Sequence, residues 1–272
     1  MESTELMKRM TDTHSRCQSY EDVGTIAEVE IEGRETNTSR VRFRVQFVRS
    51  RAFRLELHSE RQHGIGPYSL VYYWDGARWS VFNSINSHYG SNPVITNADD
   101  SEVVGGGVAL SYDLVPFTPR LLCLSEDFCG FRGADEGKFS INGIPQTKSA
   151  KVAIERLRLR QVYRLTLLRD VAMYHDVEDY WIDPHTYTII KRRSQYAKDR
   201  GNHTDFTTRE STHRPKLGTL TDGSLIVFSP PHSQATKSLD RMPAGHVSCE
   251  FGRTGPPASL SFLVGLYATF AD

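Results

Sequence analysis

Hydrophobic and polar residues alternate along much of this chain. Val41, Phe43, Val45 and Phe47 alternate with Arg42, Arg44 and Gln46, the clearest period-two run in the sequence. Phe53, Leu55 and Leu57 alternate in the same way with Arg54, Glu56 and His58, and Ala27, Val29 and Ile31 with Glu28 and Glu30. Successive side chains of a strand point to opposite faces, so each run predicts a strand with one apolar and one polar side. Leu70, Tyr72 and Trp74 follow, then Asp75-Gly76, then Trp79 and Val81. Asp-Gly between two such runs signals a hairpin, because both residues tolerate the positive φ of a tight turn. Five strands in about sixty residues predict an antiparallel meander with one covered face.

The period changes at the N-terminus. Leu6, Met7, Met10, His14 and Cys17 follow i, i+3, i+4, i+7 spacing, with Lys8, Arg9 and Asp12 opposite. That spacing predicts an amphipathic helix over residues 4–19, with Thr4 as its cap. In the second half, Tyr163, Leu165 and Leu167 predict another strand. Tyr180-Trp181-Ile182 and Tyr187-Thr188-Ile189-Ile190 then flank Asp183-Pro184-His185-Thr186. Proline fixes φ and an aspartate side chain bonds its own downstream backbone, so this segment predicts a hairpin. Residues 205–212 and Leu225 to Phe228 read as closing strands, ended by Ser229-Pro230-Pro231.

Two regions depart from alternation. From Asn83 to Gly143, Asn97 to Ser101 supply a helix start, Gly105-Gly106-Gly107 an interruption, and Pro116 and Pro119 breaks. This predicts one or two short helices and loops packed on the sheet. Residues 148–160 fit neither period, since Val152, Ile154, Leu157 and Leu159 match no single face. Beyond Pro231, Ser, Pro, Gly and Thr dominate up to Leu260. The expected organisation is a single β domain over 1–231 with an N-terminal helix, and a partly disordered tail over 232–272. The fold class is mainly β (α+β).

The 272 residues suffice to bury a substantial core. Lys plus Arg and Asp plus Glu stand at 33 each, so formal charge is zero. No nucleic-acid partner is expected, because binding to phosphates needs a basic excess. The clusters at Arg40, Arg42 and Arg44 and at Lys191-Arg192-Arg193 read as solvated strand faces. No apolar run is long enough to span a bilayer; the longest, Leu260 to Phe270, covers about eleven residues. Met1 to Glu5 is acidic and carries no secretory pattern. The expected location is the cytoplasm, or the periplasm or cell envelope if a leader has been removed. A monomer, peripheral to a membrane at most, is expected. Cys17, Cys123, Cys129 and Cys249 form no C-x-x-C. Cys123 and Cys129 are near enough in sequence to bridge in an oxidising compartment, and buried free thiols are the alternative.

Catalytic motifs are missing from the sequence. Val108-Ala109-Leu110 follows the triple glycine where a phosphate loop needs Lys and Ser or Thr. There is no G-x-S-x-G, and His58 and His63 lie in no H-E-x-x-H. His175, Asp176, Glu178 and Asp179 form the densest set of metal-ligand types, read as turn residues between strands. Glu28 and Glu30 share a strand face that is read as solvated. Asn37-Thr38-Ser39 and Asn202-His203-Thr204 match the glycosylation tripeptide, which arises often by chance. No enzyme activity, cofactor or metal is expected. The informative group is aromatic: Phe43, Phe47, Phe53, Tyr72, Trp74, Trp79 and Trp181, with Leu55 among them. These eight either form a plain core or line an apolar ligand cavity.

The order of segments resembles a known superfamily. The helix ends in Cys17-Gln18-Ser19-Tyr20-Glu21-Asp22-Val23-Gly24-Thr25, followed by Phe43 to Arg49 and Phe53-Arg54-Leu55. Tyr73-Trp74-Asp75-Gly76, an insert, Tyr180-Trp181-Ile182-Asp183-Pro184, Lys191-Arg192-Arg193 and Phe228-Ser229-Pro230-Pro231 complete the series. Over about residues 4–231 this is similar to the LolA/LolB-like outer-membrane lipoprotein-sorting superfamily, in particular its uncharacterised bacterial branch. The resemblance implies a curved antiparallel sheet, an incomplete β-barrel closed by short helices. It implies an apolar concave face that binds a lipid, an acyl chain or a lipidated protein in the cell envelope. A protein-interaction module on the same fold, reading an envelope partner segment, is the alternative.

Overall fold

A computed structural model describes residues 1–61, 67–76, 79–84, 88–92, 122, 127–128, 131–132, 137–141, 144–171, 174–199, 201 and 203–220. The expected tail at 232–272, the strand at 225–228 and residues 93–121 of the insert lie outside these residues; where the insert expected as helices and loops between Asn83 and Gly143 is described, it includes short strands at 88–92, 127–128, 131–132 and 137–141. Cys123, Cys129 and Cys249 also lie outside the described residues.

The chain starts with helix α1, Ser3–Arg16. Its buried residues are Leu6, Met7, Met10 and His14, as the spacing predicts. The cap differs: Glu2 occupies the N-cap without a side-chain bond, and Thr4 lies inside the first turn. Cys17 ends the helix in extended conformation.

Strands follow in sequence order: β1 Ser19–Glu32, β2 Glu35–Val48, β3 Ala52–Arg61, β4 Tyr68–Trp74, β5 Trp79–Asn83 and β6 His88–Asn92. A two-stranded hairpin, β7 Asp127–Phe128 and β8 Phe131–Arg132, stands apart. The second half supplies β9 Gly137–Ile141, β10 Ile144–Leu157, β11 Arg160–Val171, β12 Tyr174–Ile182, β13 Ile189–Asp199, β14 Thr204–His213 and β15 Lys216–Leu217. Neighbours pair antiparallel along the path β6-β5-β4-β3-β2-β1-β14-β13-β12-β11-β10-β9, with β15 also on β1. Two meanders are thus joined where β1 meets β14, Gly24 opposite His213. Sheets of this width curl as each strand adds its right-handed twist. Bulges at Arg40/Val41 and Trp181/Ile182 add local bends. Among the described residues the path ends at β6 and β9, which do not pair with each other, so over these residues the barrel is incomplete.

The turns follow their chemistry. Asp183 Oδ1 accepts hydrogen bonds from the backbone nitrogens of His185 (2.8 Å) and Thr186 (3.1 Å), closing the β12–β13 hairpin. Tyr187 carries the positive φ of +55° and sits in the connection, so β13 begins at Ile189. Gly76 takes φ +94° between β4 and β5. The ambiguous stretch at 148–160 proves to be the end of β10, the turn Arg158-Leu159 and the start of β11. It matched no period because Ile154 is exposed and Leu159 sits on the turn.

Two apolar clusters form the core. One gathers Tyr20, Ile26, Val41, Phe43, Val45, Phe47, Phe53, Leu55, Leu57, Leu70, Tyr72, Trp74 and Leu122. The other joins Leu6, Met7 and Met10 of α1 to Ala150, Leu165, Leu167, Tyr180, Ile182 and Ile189. Each such side chain contributes about 1.5–3 kcal/mol on full burial. The helix therefore holds to β10–β13 by its apolar stripe, aided by Arg9, which donates to Glu5 and to the Tyr187 hydroxyl.

The polarity of β1 is the reverse of the expectation. Tyr20, Asp22, Ile26 and Glu28 are buried, whereas Val29 and Ile31 are exposed. Glu28 is not on a solvated face: it accepts from Arg209 Nε at 2.6 Å. Alternation assigns residues to faces but does not say which face turns inward.

Candidate functional site

Strand register sorts the expected cavity residues into cross-strand rows. Tyr20, Phe47, Phe53, Trp74 and Trp79 occupy successive partner positions across β1 to β5. Asp22, Val45, Leu55, Tyr72 and Val81 form the next row. Gly24, Phe43, Leu57 and Leu70 form the third. Phe43, Phe47, Phe53, Leu55, Tyr72 and Trp74 therefore come together on one face, all within the first cluster. None is more than 4% exposed. Phe53 meets Tyr72 edge-on with ring centroids 6.0 Å apart. Burial pushes the Tyr72 phenol well above its ordinary value. Trp79 joins the first row by backbone register.

Trp181 is the exception. Its neighbours Tyr180 and Ile182 enter the second cluster, so Trp181 projects to the opposite face. There its indole Nε1 donates to Glu155 at 3.1 Å. Lys191, Arg164 and Arg193 lie 5.0, 5.5 and 5.7 Å from its ring centroid. Beside it, Asp179 accepts from Arg164 (2.8 Å), Thr166 (2.7 Å) and Arg193 (2.7 Å). Burial alone would raise the Asp179 carboxyl, but these bonds outweigh it and hold the group below its usual range. Hydrogen bonds to Asp179 and then Glu155 raise Arg164. This is a balanced ion-pair network with an indole packed into it, and it explains a buried tryptophan outside the apolar wall.

The cluster at His175 to Asp179 is divided in the same way. Asp179 serves the outer network, while Glu178 turns to the other face and accepts from Arg192 at 3.0 Å. Among the described residues no group of His, Cys, Asp and Glu is arranged to hold a metal.

Between the two apolar clusters the inner face carries a polar island that sequence reasoning missed. His213 Nδ1 lies 2.7 Å from Asp22 Oδ2, and Ser211 Oγ 2.8 Å from His213 Nε2. Tyr20 Oη donates to Asp22 Oδ2 at 3.0 Å, and the Arg214 backbone nitrogen to Oδ1 at 2.9 Å. Asp22, an acceptor through both oxygens, fixes Nδ1 of His213 as a donor; in the neutral ring Nε2 then accepts the Ser211 proton. The donor order is that of a serine–histidine–aspartate relay. The Asp22 and His213 side chains, however, are entirely buried. The Phe43 ring lies 5.2 Å from that of His213, across Gly24. Gly24 is needed there, because a Cβ would collide with the Thr212 carbonyl oxygen and the Phe43 ring. The only sequence signal for this island was a glycine in an alternating strand. Asp22 and His213 are 191 residues apart, so their pairing is decided by the β1–β14 register.

His14 of α1 lies beside this island, its ring centroid 5.8 Å from that of Tyr20. Its Nδ1 is 2.8 Å from the Met10 carbonyl oxygen. Complete burial pushes its pKa down to about 4, against the smaller opposing effects of that bond and of Asp22. Cys17, a half-buried free thiol, donates to the His14 carbonyl and is pushed up by burial.

No family model and no curated protein matches the chain. Among solved structures it is similar to a DUF1329 family protein from Desulfovibrio piger, at 10% identity over 83% of this chain and 95% of that one, with a TM-score of 0.31. It is also similar to a LolA superfamily protein from Nitrosomonas europaea, at 8% identity over 81% and 95% of the two chains, with a TM-score of 0.27. The fold class itself rests on the strand order and register given above. Among the described residues no helix is long and apolar enough to cross a membrane.

Proposed function

We propose that this chain is a non-enzymatic cell-envelope protein that binds a lipid, an acyl chain or a lipidated protein on its apolar inner face. The observation that supports it best is the concentration of Phe43, Phe47, Phe53, Leu55, Tyr72 and Trp74 on one face of three adjacent strands. Trp79 extends that wall by register. Trp181, on the other face, is not part of it. Each methylene moved from water onto such a wall is worth about 0.8 kcal/mol, so a ten-carbon chain supplies several kcal/mol after the costs of ordering. The wall is covered by the chain's own side chains, Leu122 among them. Ligand access therefore requires that cover to shift, a motion compatible with a carrier that must also release its cargo.

The test is native mass spectrometry of the protein purified from cells, with extraction of whatever co-purifies, followed by titration with a fluorescent fatty-acid probe. A stoichiometric acylated species or saturable probe uptake supports the reading. A bare protein mass with no uptake of any amphiphile overturns it.

A second reading, a module that recognises an extended protein segment, is favoured by the two ends of the sheet. Among the described residues β6 and β9 have no partner on their outer sides. An open edge offers its backbone groups to an added strand.

A further inference from the structure

The class of ligand can be narrowed, and this step rests on the binding reading above. His14 sits in the last turn of α1, where the helix leaves one apolar cluster and reaches the other. Met10, one turn earlier, belongs to the cluster on β10–β13, and Tyr20 to the aromatic cluster. The His14 side chain is completely buried.

A carbonyl oxygen only accepts, so the 2.8 Å contact with Met10 fixes the proton on Nδ1. Nε2 is then a bare lone pair, and it has no hydrogen-bond partner. A buried acceptor left in this state costs about 1–3 kcal/mol. The nearby donors are engaged elsewhere. The Tyr20 hydroxyl and His213 Nδ1 point to Asp22, the Ser211 hydroxyl to His213, and the Cys17 thiol to the His14 carbonyl. Arg49 directs its Nε and Nη2 to the carbonyls of Cys17 and Leu122. The charges acting on the His14 ring come from Asp22 and His213.

We propose that His14 Nε2 receives the polar head of the bound amphiphile, and that this head is a hydrogen-bond donor. An alcohol, an amide N–H or an amine satisfies the lone pair. An ionised carboxylate has no proton to give. The apolar wall would then read the tail and the helix end the head.

The experiment compares two probes of equal chain length, 1-decanol and decanoate, on the full chain at pH 7.5 by isothermal titration calorimetry. Wild type is expected to bind decanol at least about tenfold more tightly, the scale of one well-placed buried hydrogen bond. His14→Phe should abolish that preference by weakening decanol and leaving decanoate unchanged. His14→Gln, which keeps an acceptor oxygen, should recover part of it, and circular dichroism checks that both variants fold. Equal binding of the two probes by wild type, or a preference that survives His14→Phe, overturns the assignment to His14 while the apolar-face reading stands. If neither probe binds, both readings are overturned.

Discussion

Lowering the pH should loosen this protein through His14 before its carboxylates titrate. The imidazole is buried as the neutral form, with a pKa of about 4 against an ordinary 6.5. Between those values the unfolded chain binds a proton that the folded one refuses, so stability rises with pH across this window. The contribution is complete above about pH 6.5 and falls as the pH drops towards 4. At about 1.4 kcal/mol per pH unit of difference, a descent from pH 7.5 to 4.5 removes about 2.5 kcal/mol. That is a large part of the 5–15 kcal/mol typical of a folded domain. The assay is urea unfolding followed by tryptophan fluorescence at several pH values, for wild type and His14→Phe. Phe cannot titrate, and its fixed cost or gain cancels when each protein is compared with itself. The wild-type unfolding free energy should fall by about 2.5 kcal/mol more than the variant's. Parallel curves would refute the claim that His14 is held neutral by burial.

Three further outcomes follow from packing and hydrogen bonding. Gly24→Ala places a methyl against the Thr212 carbonyl and the Phe43 ring, and should cost at least about 2 kcal/mol in urea unfolding; a wild-type midpoint would show that the close approach is absent. Asp179→Ala leaves Arg164 and Arg193 without their buried acceptor and should destabilise by about 2–4 kcal/mol, an effect that shrinks below the ordinary carboxylate range because the wild-type group itself becomes protonated; equal loss at all pH values would count against it. A fluorophosphonate probe should leave native Ser211 unlabelled, since its relay partners are sealed beneath Phe43 and the neighbouring strands; labelling at Ser211, found by peptide mass spectrometry, would make the trio catalytic and overturn the non-enzymatic reading.

Local rules in the sequence determined the elements. Period-two alternation specified β2, β3 and β4, and the i, i+3, i+4 spacing of Leu6, Met7 and Met10 specified α1, because both depend only on residues near in the chain. Asp183-Pro184 specified its hairpin through a side-chain bond to its own backbone. The aromatic wall was legible too, since Phe43, Phe47, Phe53, Leu55, Tyr72 and Trp74 belong to consecutive strands of one meander. Tertiary structure decided what depends on orientation and on distant pairing. Which face of β1 turned inward, burying Glu28 and exposing Val29, followed from the whole sheet. Trp181 left the wall because Tyr180 and Ile182 were taken by the core under α1. The island of His14, Tyr20, Asp22, Ser211 and His213 exists because β1 pairs with β14 across nearly the full described chain. A strand's sequence states which residues share a face, but the partner strand and the side that is covered are set only when the chain closes on itself.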